Sequence, residues 1–435
     1  MIDFVTVVGA GLAGCEAAWQ LARRGVKVRL CEMKPEKKTP AHVSDDFAEL
    51  VCSNSLRSDE LANAVGLLKE ELRRLGSLIM ECADANRVPA GGALAVDRVS
   101  YARMVTEKIR SHPNIEVFAG EVREIPDGEV IIASGPLTSD ALAEEISKLC
   151  PDSDLHFYDA AAPIVTAESI DMDSAFFASR YGKGSADYIN CPMTREQYLE
   201  FWRELCSAEQ APVHGFDDGG VFEGCMPVEV MARRGEDTLR FGPMKPVGLA
   251  DPRTGQEFYA VAQLRRDNAE GSIYNIVGFQ THLRFPEQRR VFSMIPALKN
   301  AEFVRYGVMH RNTYLNSPQL LDRYYRLRGH ERISFAGQMT GVEGYVESCA
   351  SGLLAGIETS RRVLGQPAVD FPRETAVGAL AAYISGGSVG SFQPMNINFG
   401  IIAPLGYKVK GKRNKNTEIS KRALEIIDRL KEDMA

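Results

Sequence analysis

The sequence lacks several motifs that would assign its chemistry at once. Its 435 residues contain no HExxH pair for zinc, no Walker A loop for a nucleoside triphosphate and no GxSxG nucleophile turn. The nine cysteines show neither a CxxC pair nor the Cys/His spacing of a zinc site. These absences argue against zinc proteases, P-loop NTPases and serine hydrolases, and they predict no bound metal.

Long apolar segments are also scarce. Residues 375–407 carry no charge, but glycines, prolines and asparagines interrupt them early, whereas a bilayer helix needs ~20 mostly apolar residues. The N-terminus has no signal-peptide pattern. We therefore expect no membrane span, and we predict a cytoplasmic location with free thiols.

The charge balance is slightly acidic, with 51 Lys and Arg against 58 Asp and Glu. This balance argues weakly against a protein that coats nucleic acid non-specifically, because phosphate binding needs only a local basic surface. Such a surface is predicted near the C-terminus, with a solvated tail as the alternative. Its basic residues are Lys408, Lys410, Lys412, Arg413, Lys415, Lys421 and Arg422.

The clearest motif opens the chain. Residues 4–8 predict a strand, a GAGLAG turn follows, residues 15–24 predict a helix, and a second strand ends near an acidic residue. In such a turn the first glycine permits the bend, the second lets backbone N–H groups approach a pyrophosphate, and the third lets helix and strand pack closely. The acid can bind a ribose diol. These residues predict a dinucleotide site: Gly9, Ala10, Gly11, Leu12, Ala13, Gly14 and Glu32.

Two later strands are typical of a cofactor domain that is split in two. Residues 130–133 predict a strand that ends at Gly135, and residues 333–338 predict another that contains Gly337 and Gln338. Gly341 and a small-residue helix over residues 345–364 follow. This layout favours FAD over NAD, because NAD domains are usually contiguous. The three-glycine spacing with a following acid favours an adenine dinucleotide over S-adenosylmethionine.

The predicted fold class is α/β: a Rossmann-like FAD-binding domain of the glutathione-reductase type, interrupted by an α+β insertion domain. We expect residues 1–175 to form the first part of the FAD domain and residues 176–330 the insertion on the substrate side. Residues 331–435 form the second part with the basic C-terminal segment. Within the first part, residues 60–85 predict a helix and residues 122–125 a short strand.

Two cysteines have neighbours suited to chemistry. Cys52 is followed by hydroxyl and amide side chains and by Arg57, and Cys225 lies between Gly224 and Pro227. A free thiol has a pKa near ~8.5, so it needs nearby cations or a helix dipole to react at neutral pH. The alternative is a buried structural cysteine, which is the commoner case.

Taken together, the motifs resemble those of the TrmFO family, the folate- and FAD-dependent tRNA (uracil-5-)-methyltransferases. The related GidA/MnmG proteins share the cofactor domain but are usually longer. The segments that carry the resemblance are spread over nearly the whole chain. They are GAGLAG at 9–14, PAH at 40–42, ELVCSNSLR at 49–57, PAGGALAVDR at 89–98, YDAAAPIV at 158–165, FEGCMP at 222–227, FGPMKPVGL at 241–249, VMHRNT at 308–313 and FAGQMTGVEGYVES at 335–348.

The resemblance implies a reaction. FAD, reduced by NADPH or NADH, and 5,10-methylenetetrahydrofolate as one-carbon donor would convert the T-loop uridine at position 54 of tRNA to 5-methyluridine. It also implies that Cys225 adds to C6 of the uracil and that Cys52 is a second thiol, which acts as the C5 base or guards the flavin. The residues themselves leave the division of roles between the two thiols open.

Further residues and partners follow from the same resemblance. Arg57, His310 or Asn312 could stabilise the uracil enolate, and Tyr345 or His282 could contact folate; a structural histidine is the commoner case at both histidines. Basic pairs of the insertion, including 265–266, and the C-terminal basic residues could follow the RNA. No stable protein partner is implied. The alternatives are a ribosomal RNA uridine as the target, a general NAD(P)H-dependent flavin oxidoreductase, and a non-catalytic RNA-binding module.

Overall fold

The structure is a computed structural model. It describes residues 4–39, 41–149, 155–160, 162–182, 185–211, 226–268, 271–307, 309–386, 392 and 394–434; in residues 155–160 and 309–313 only the backbone is described.

Strands are distributed over most of the chain. In chain order they are β1 (Val5–Val8), β2 (Val28–Glu32), β3 (Ser55–Ser58), β4 (Arg87–Val88), β5 (Ala93–Val96), β6 (Ile115–Ala119), β7 (Val130–Ile132), β8 (Leu155–Ala160), β9 (Ile164–Thr166), β10 (Phe176–Ala178), β11 (Tyr188–Met193), β12 (Ala260–Arg266), β13 (Ile273–Ile276), β14 (Phe303–Arg305), β15 (Met309–Tyr314), β16 (Arg326–Leu327) and β17 (His330–Phe335).

Helices cover the first sheet and flank the second. They are α1 (Leu12–Ala22), α2 (Ala64–Arg74), α3 (Leu78–Ala85), α4 (Arg98–Ser111), α5 (Asp140–Leu149), α6 (Arg195–Ser207), α7 (Val228–Arg233), α8 (Thr238–Phe241), α9 (Phe285–Phe292), α10 (Ser317–Leu320), α11 (Tyr345–Val363), α12 (Ala376–Ile384) and α13 (Lys412–Asp433).

The first sheet joins the two ends of the chain. Its strand order is β16-β17-β7-β1-β2-β6, and every neighbouring pair except β16 and β17 is parallel. The late strand β17 pairs with β7, and β7 pairs with β1. The predicted return of both strands to the nucleotide turn is therefore confirmed. Helices α1 and α11 pack so closely that a Cβ at Gly352 would lie 2.1 Å from the Ala13 carbonyl oxygen. Only glycine fits at this position.

The second sheet is built from the middle of the chain. Its order is β10-β11-β12-β13-β9-β14, with antiparallel neighbours throughout. One face of β12 buries Ala262 and Leu264 in a second hydrophobic core. Because side chains alternate along a strand, Gln263 and Arg265 lie on the other face, which meets the first sheet's domain. Strand β9 precedes residue 176 yet belongs to this sheet, and β16 precedes residue 330 yet belongs to the first.

This arrangement confirms the predicted fold class, a Rossmann-like domain of the FAD type interrupted by an α+β insertion. Two local predictions were wrong. Residues 60–85 form two helices, because the chain turns at Gly76, whose φ is +75°, a backbone conformation that favours glycine. Residues 122–125 are irregular, since no neighbouring strand pairs with them.

None of the helices in the described ranges has both the length and the apolar character that crossing a bilayer requires. The uncharged stretch 375–407 contains the short helix α12 and then irregular chain in the parts that the structure covers.

Candidate active site

The glycine turn after β1 is shaped by close backbone packing. Gly9 has a φ of +97°, and a Cβ there would lie 2.6 Å from the Ala133 carbonyl oxygen. A Cβ at Gly14 would lie 1.8 Å from the Gly9 carbonyl oxygen. Gly11 has no heavy atom within 4 Å of its Cβ position, so this position opens into a cleft. Two of the glycines therefore allow packing, and the third leaves room for a ligand.

The start of α1 offers donors to an anion. Gly11 occupies the N-cap position, and no side chain caps the first turn. The first N–H groups of a helix have no partner within it, and the aligned peptide dipoles place positive partial charge there. The absence of a capping side chain and the open space at Gly11 fit a bound pyrophosphate.

Glu32 connects the glycine turn to the end of β2. One carboxylate oxygen accepts a hydrogen bond from the Ala10 N–H at 2.7 Å, and the other accepts from the Lys34 N–H at 3.0 Å. Its side chain still lines the cleft. A carboxylate oxygen can accept more than one hydrogen bond, so the same group can hold the turn and bind a ribose hydroxyl.

The opposite wall of the cleft comes from the second half of the domain. Gly135, Gly337 and Gln338 line it, and the Gln338 Nε2 donates to both Glu343 carboxylate oxygens at 2.8 Å. Gly341 is not among the lining residues, and a Cβ there would lie 2.3 Å from the Phe392 ring. Among the predicted cofactor residues, those that line the cleft are Gly9, Ala10, Gly11, Leu12, Ala13, Glu32, Gly135, Gly337 and Gln338.

Cys52 lies at the edge of this cleft. Its backbone N–H donates to the Tyr345 hydroxyl oxygen at 2.8 Å, and that hydroxyl donates to the Cys52 Sγ at 3.3 Å. Tyr345 is the first residue of α11, and its ring lines the cleft. Burial raises the pKa of Tyr345 well above its usual range, so the hydroxyl remains a donor. The thiol and the cofactor cleft therefore share one tyrosine.

Two arginines give this thiol cationic surroundings. Arg98 donates to the Leu50 carbonyl oxygen at 2.8 Å and pairs with the buried Asp267 at 3.0 Å. Burial lowers the pKa of Arg305, and the charge of Arg98 lowers it further, while the negative forms of Tyr345, Glu49 and Cys52 act in the opposite direction. Nearby cations favour the thiolate, which is the reactive form of cysteine.

A buried arginine of the insertion holds the cysteine loop. The Arg265 guanidinium donates to the Ser53 hydroxyl oxygen at 2.7 Å and to the Asn54 Oδ1 at 3.1 Å. The Asn54 amide in turn donates to the Arg266 carbonyl oxygen at 2.9 Å. The prediction that Arg265 helps to follow RNA on the surface was wrong, because this side chain is 7% exposed. It binds one domain to the other.

The other predicted site residues either lie outside the described part of the chain or have structural partners. Cys225 lies outside the described residues, as do the side chains of His310 and Asn312 on β15. Arg57 forms an ion pair with the buried Glu347. His282 does not line the described cleft; its Nδ1 lies 2.7 Å from a carboxylate oxygen of the buried Glu229.

The C-terminal basic residues lie just before α13 and in its first half. Lys408, Lys410, Lys412, Arg413 and Lys415 are exposed. The helix is anchored beside the chain that follows the cysteine loop, since the Ser420 hydroxyl donates to the Leu61 carbonyl oxygen at 2.6 Å. The Arg413–Glu60 ion pair and the Asn416–Ala62 hydrogen bond likewise place the start of α13 beside residues 60–62, which follow the cysteine loop.

The sequence did not predict that Arg98 and Arg305 lie near the Cys52 thiol. Arg98 ends the segment PAGGALAVDR, but nothing in the sequence indicates that it contacts the carbonyl of Leu50. Arg305 lies on an edge strand more than two hundred residues away from Cys52. Only the docking of the insertion sheet brings it near.

A split parallel sheet with a glycine turn, an acid after the second strand and an uncapped helix start defines a dinucleotide-binding flavoprotein-type domain. Comparisons with known proteins narrow the class. The family model described as glucose inhibited division protein A matches residues 4–367. A solved structure of GidA from Aquifex aeolicus has a TM-score of 0.71 and 15% identity; the match covers 98% of this chain and 73% of that chain, and it shows the shared fold.

Curated relatives are much more similar in sequence. The methylenetetrahydrofolate--tRNA-(uracil-5-)-methyltransferase TrmFO of Acetivibrio thermocellus is 62% identical over 428 residues, with 98% of each chain covered. The protein of the same name from Bacillus pumilus is 57% identical over 434 residues, with 100% of each chain covered. The chain belongs to the TrmFO family, which is related to GidA.

Proposed function

We propose that this chain is a methylenetetrahydrofolate--tRNA-(uracil-5-)-methyltransferase that converts the T-loop uridine at position 54 to 5-methyluridine. Full-length identity to relatives of that name supports the activity. The structural observation that carries the proposal is the 3.3 Å contact between Tyr345 and the Cys52 Sγ at the dinucleotide cleft. A thiol for activating uracil and a cofactor for redox chemistry are both needed in one cavity.

FAD fits the cleft. The open position at Gly11 and the uncapped start of α1 would receive its pyrophosphate, and Glu32 would bind a ribose. FAD, when bound and reduced by NADPH or NADH, supplies the electrons that turn the methylene carbon of 5,10-methylenetetrahydrofolate into a methyl group. The second half of the domain, at Gly337 and Gln338, would contact the isoalloxazine end.

The thiols activate the base. C5 of uracil is a poor nucleophile, and a thiolate that adds to C6 creates an enolate that can attack a one-carbon electrophile. In this proposal Cys225 adds to C6, and Cys52 removes the C5 proton or guards the cofactor side of the cavity. Tyr345 orients Cys52, because its hydroxyl accepts the Cys52 N–H and donates to the Cys52 Sγ.

The two domains and the C-terminal helix have different roles in this proposal. We propose that the first sheet and its helices bind FAD, and that the insertion sheet closes the substrate side. The strand pairings support domain joins between residues 160 and 164 and between residues 314 and 326. The exposed lysines at the start of α13 would contact RNA phosphates. Among the cysteines whose side chains are described, six are free thiols, which supports a reducing compartment such as the cytoplasm; they are Cys15, Cys31, Cys82, Cys191, Cys206 and Cys349.

The test is transfer of labelled carbon from methylenetetrahydrofolate to an unmodified tRNA transcript, with and without NADPH. We expect label in tRNA only with the reductant, and none when the transcript carries cytidine in place of the target uridine. Label in ribosomal RNA but not in tRNA, or flavin turnover without folate, would contradict the proposal. Cys52→Ala and Cys225→Ala should abolish the transfer while FAD stays bound. The matched control is Cys206→Ala, which should keep the activity because Cys206 is a half-buried cysteine on α6 away from the cleft.

A further inference from the structure

Three aromatic rings of the insertion form a stack that ends at the protein surface. The Tyr306 ring lies 5.3 Å from the Phe303 ring and 4.7 Å from the Phe285 ring, centroid to centroid, and the ring planes differ by only 9° and 14°. Phe303 packs against the hydrophobic core of the insertion sheet, whereas Phe285 is 50% exposed. Because Tyr306 covers one face of the Phe285 ring, the other face lies open to solvent.

The exposed ring is held in place by the helix that carries it. Phe285 is the first residue of α9, and the buried Gln288 on the same helix exchanges two hydrogen bonds of 2.8 Å with the backbone of Gly307. Gln288 also donates to the Leu283 carbonyl oxygen at 2.7 Å. Since Gly307 directly follows Tyr306, these hydrogen bonds fix the two outer rings against each other. A ring that is already ordered loses little conformational entropy when a ligand binds to it.

The stack is close to the candidate active site. Arg305 ends β14 and directly precedes Tyr306. Its guanidinium donates weakly to the Ala41 carbonyl oxygen at 3.5 Å and interacts electrostatically with Cys52. The edge of the insertion sheet that carries the stack therefore lies beside the cysteine loop.

Positive charge accompanies the exposed ring. Arg289 follows Phe285 by four residues on α9, and residues at this spacing share a helix face with Cβ atoms about 5–6 Å apart. Arg289 is exposed and forms no ion pair with a carboxylate in the described ranges of the chain. Arg290, the next residue, is paired with Glu204 and Glu287. The charge of Arg289 is therefore available to an anion beside the ring.

We propose that Phe285 stacks on an unpaired base of the RNA substrate and that Arg289 binds a phosphate beside this base. The inference rests on the proposed function, in which tRNA brings a loop of unpaired nucleotides to the Cys52 cavity. Proteins that bind single-stranded RNA combine aromatic side chains, on which bases stack, with cations that follow the backbone. The stacked base is a neighbour of the target in the loop and stays outside the cavity that the target uracil enters.

A base fits this surface better than a protein partner does. A stable protein interface buries about 800 Å² on each partner, and the centre of the interface is depleted of charged residues. Arginines at positions 284, 289 and 290 are instead close to the Phe285 ring in sequence, and all three are exposed. An unpaired guanidinium is costly to bury against an apolar partner but is complementary to phosphate.

The experiment measures equilibrium binding of two RNAs to the FAD-loaded protein: a T-arm hairpin, and a duplex with the same stem and no loop. The variants are Phe285→Leu, which removes the flat ring but stays apolar, Phe285→Trp, which keeps a ring, and Arg289→Gln. The matched control is Phe177→Leu, because Phe177 is 45% exposed on β10, at the opposite edge of the same sheet. Tm and oligomeric state are measured for each variant.

We expect Phe285→Leu to weaken hairpin binding at least fivefold, because stacking of one base on an aromatic side chain contributes roughly five- to 150-fold in affinity. Its duplex affinity should stay within twofold of wild type, and its salt dependence should be unchanged because no charge is lost. Phe285→Trp and Phe177→Leu should bind the hairpin within twofold of wild type. Arg289→Gln should reduce the slope of log affinity against log salt by about 0.7.

Abasic nucleotides, placed one at a time in the hairpin loop, identify the stacked base. At one loop position, wild type and Phe285→Leu should bind the abasic hairpin equally, because removal of the base and removal of the ring delete the same contact. A loss in Phe285→Leu that persists in every abasic hairpin would contradict base stacking.

Other results would overturn the inference as well. They are a loss below fivefold in Phe285→Leu, an equal loss on the duplex, an equal loss in Phe285→Trp or Phe177→Leu, and a wild-type dimer that Phe285→Leu dissociates, which would assign the ring to a second copy of the chain. An unchanged salt slope in Arg289→Gln would overturn the phosphate contact. These measurements need no methylation. Wild-type protein that transfers no carbon would contradict the proposed function, whereas tRNA methylation by wild type together with unchanged binding by Phe285→Leu would overturn this inference alone.

Discussion

The Tyr345 hydroxyl binds both the backbone and the sulfur of Cys52: it accepts the Cys52 N–H at 2.8 Å and donates to the Sγ at 3.3 Å. The two residues are 293 positions apart, and they come from the two halves of the split domain. A single hydroxyl therefore couples the start of α11, which borders the cofactor cleft, to the loop that carries the thiol.

Tyr345→Phe should impair chemistry while leaving the cleft intact. The ring that lines the cleft is retained, but the thiol loses its hydroxyl donor and the Cys52 N–H loses its acceptor. We expect about 10- to 100-fold slower carbon transfer with normal FAD content, since loss of one hydrogen-bond donor to a developing charge costs a few kcal/mol at most. The pH profile of the Cys52 alkylation rate should shift to higher pH.

The exposed Tyr407 provides the matched control, because Tyr407→Phe removes a hydroxyl that is remote from the cleft. An unchanged alkylation profile in Tyr345→Phe would contradict the orienting role.

Glu32→Ala should weaken cofactor binding. The carboxylate holds the Ala10 and Lys34 N–H groups and lines the cleft. Hydrogen bonds to charged groups contribute about 1.5–3 kcal/mol each, so we expect a loss of FAD affinity of about 10- to 100-fold. FAD fluorescence on dilution measures it. The neighbouring exposed Glu36 serves as the control, and equal FAD retention in Glu32→Ala and Glu36→Ala would refute the assignment.

Arg265→Met should destabilise the fold. The buried guanidinium donates to Ser53 and Asn54 across the domain contact, and its loss leaves the buried Asn54 Oδ1 without this donor. We expect the free energy of unfolding to fall by about 2–4 kcal/mol. Urea denaturation measures this change, and Arg266→Met, at the half-buried neighbour, should stay within about 0.5 kcal/mol. Equal stability of the two variants would show that the contact between the domains contributes little.

Glu71→Gln should flatten the pH dependence of stability. Burial raises the pKa of Glu71 from 4.5 to about 8, although the Ala376 and Val377 N–H groups at the start of α12 donate to the carboxylate. The folded state then binds the proton of Glu71 more tightly than the unfolded state does. The contribution of this proton to the free energy of unfolding is therefore fully present below about pH 4.5 and is lost as the pH rises through about 8. Glu358, whose pKa burial raises to about 7, adds to the same slope.

Urea denaturation from pH 4.5 to 8 measures the slope. The wild-type free energy of unfolding should decrease across this range, and Glu71→Gln should decrease less. Glu70→Gln, at the adjacent and less buried position on α2, should follow the wild type. A Glu71→Gln slope equal to that of the wild type would mean that the carboxylate is ionised in the folded protein throughout.

Charge reversal just before and at the start of α13 should weaken the binding of RNA to a similar extent whatever its base sequence. Lys410→Glu, Lys412→Glu and Arg413→Glu change exposed residues. Each phosphate contact that is lost reduces the slope of log affinity against log salt by about 0.7–0.9. Filter binding of tRNA at several salt concentrations measures the slope. Lys431→Glu, exposed at the other end of the same helix, should leave it unchanged, and equal slopes for both sets would place the RNA elsewhere.

Much of the cofactor half could be predicted because its signals are local. The glycine turn, the helix that follows it and Glu32 lie within one β-α-β unit, where spacing alone dictates the geometry. The late strand at Gly337 was predictable for the same reason, since strand, glycine turn and helix are contiguous. Helix ends were less predictable: the break at Gly76 depends on a positive φ that nothing in the apolar pattern requires.

The sequence by itself determined the split dinucleotide fold and the family, because both follow from short contiguous motifs. Only the tertiary structure decided that Arg265 is buried against Asn54 and that Arg98 and Arg305 lie near Cys52. The reason is physical. Which side chains of a sheet meet another domain depends on strand register and on docking, and both are set by packing between residues that are hundreds of positions apart.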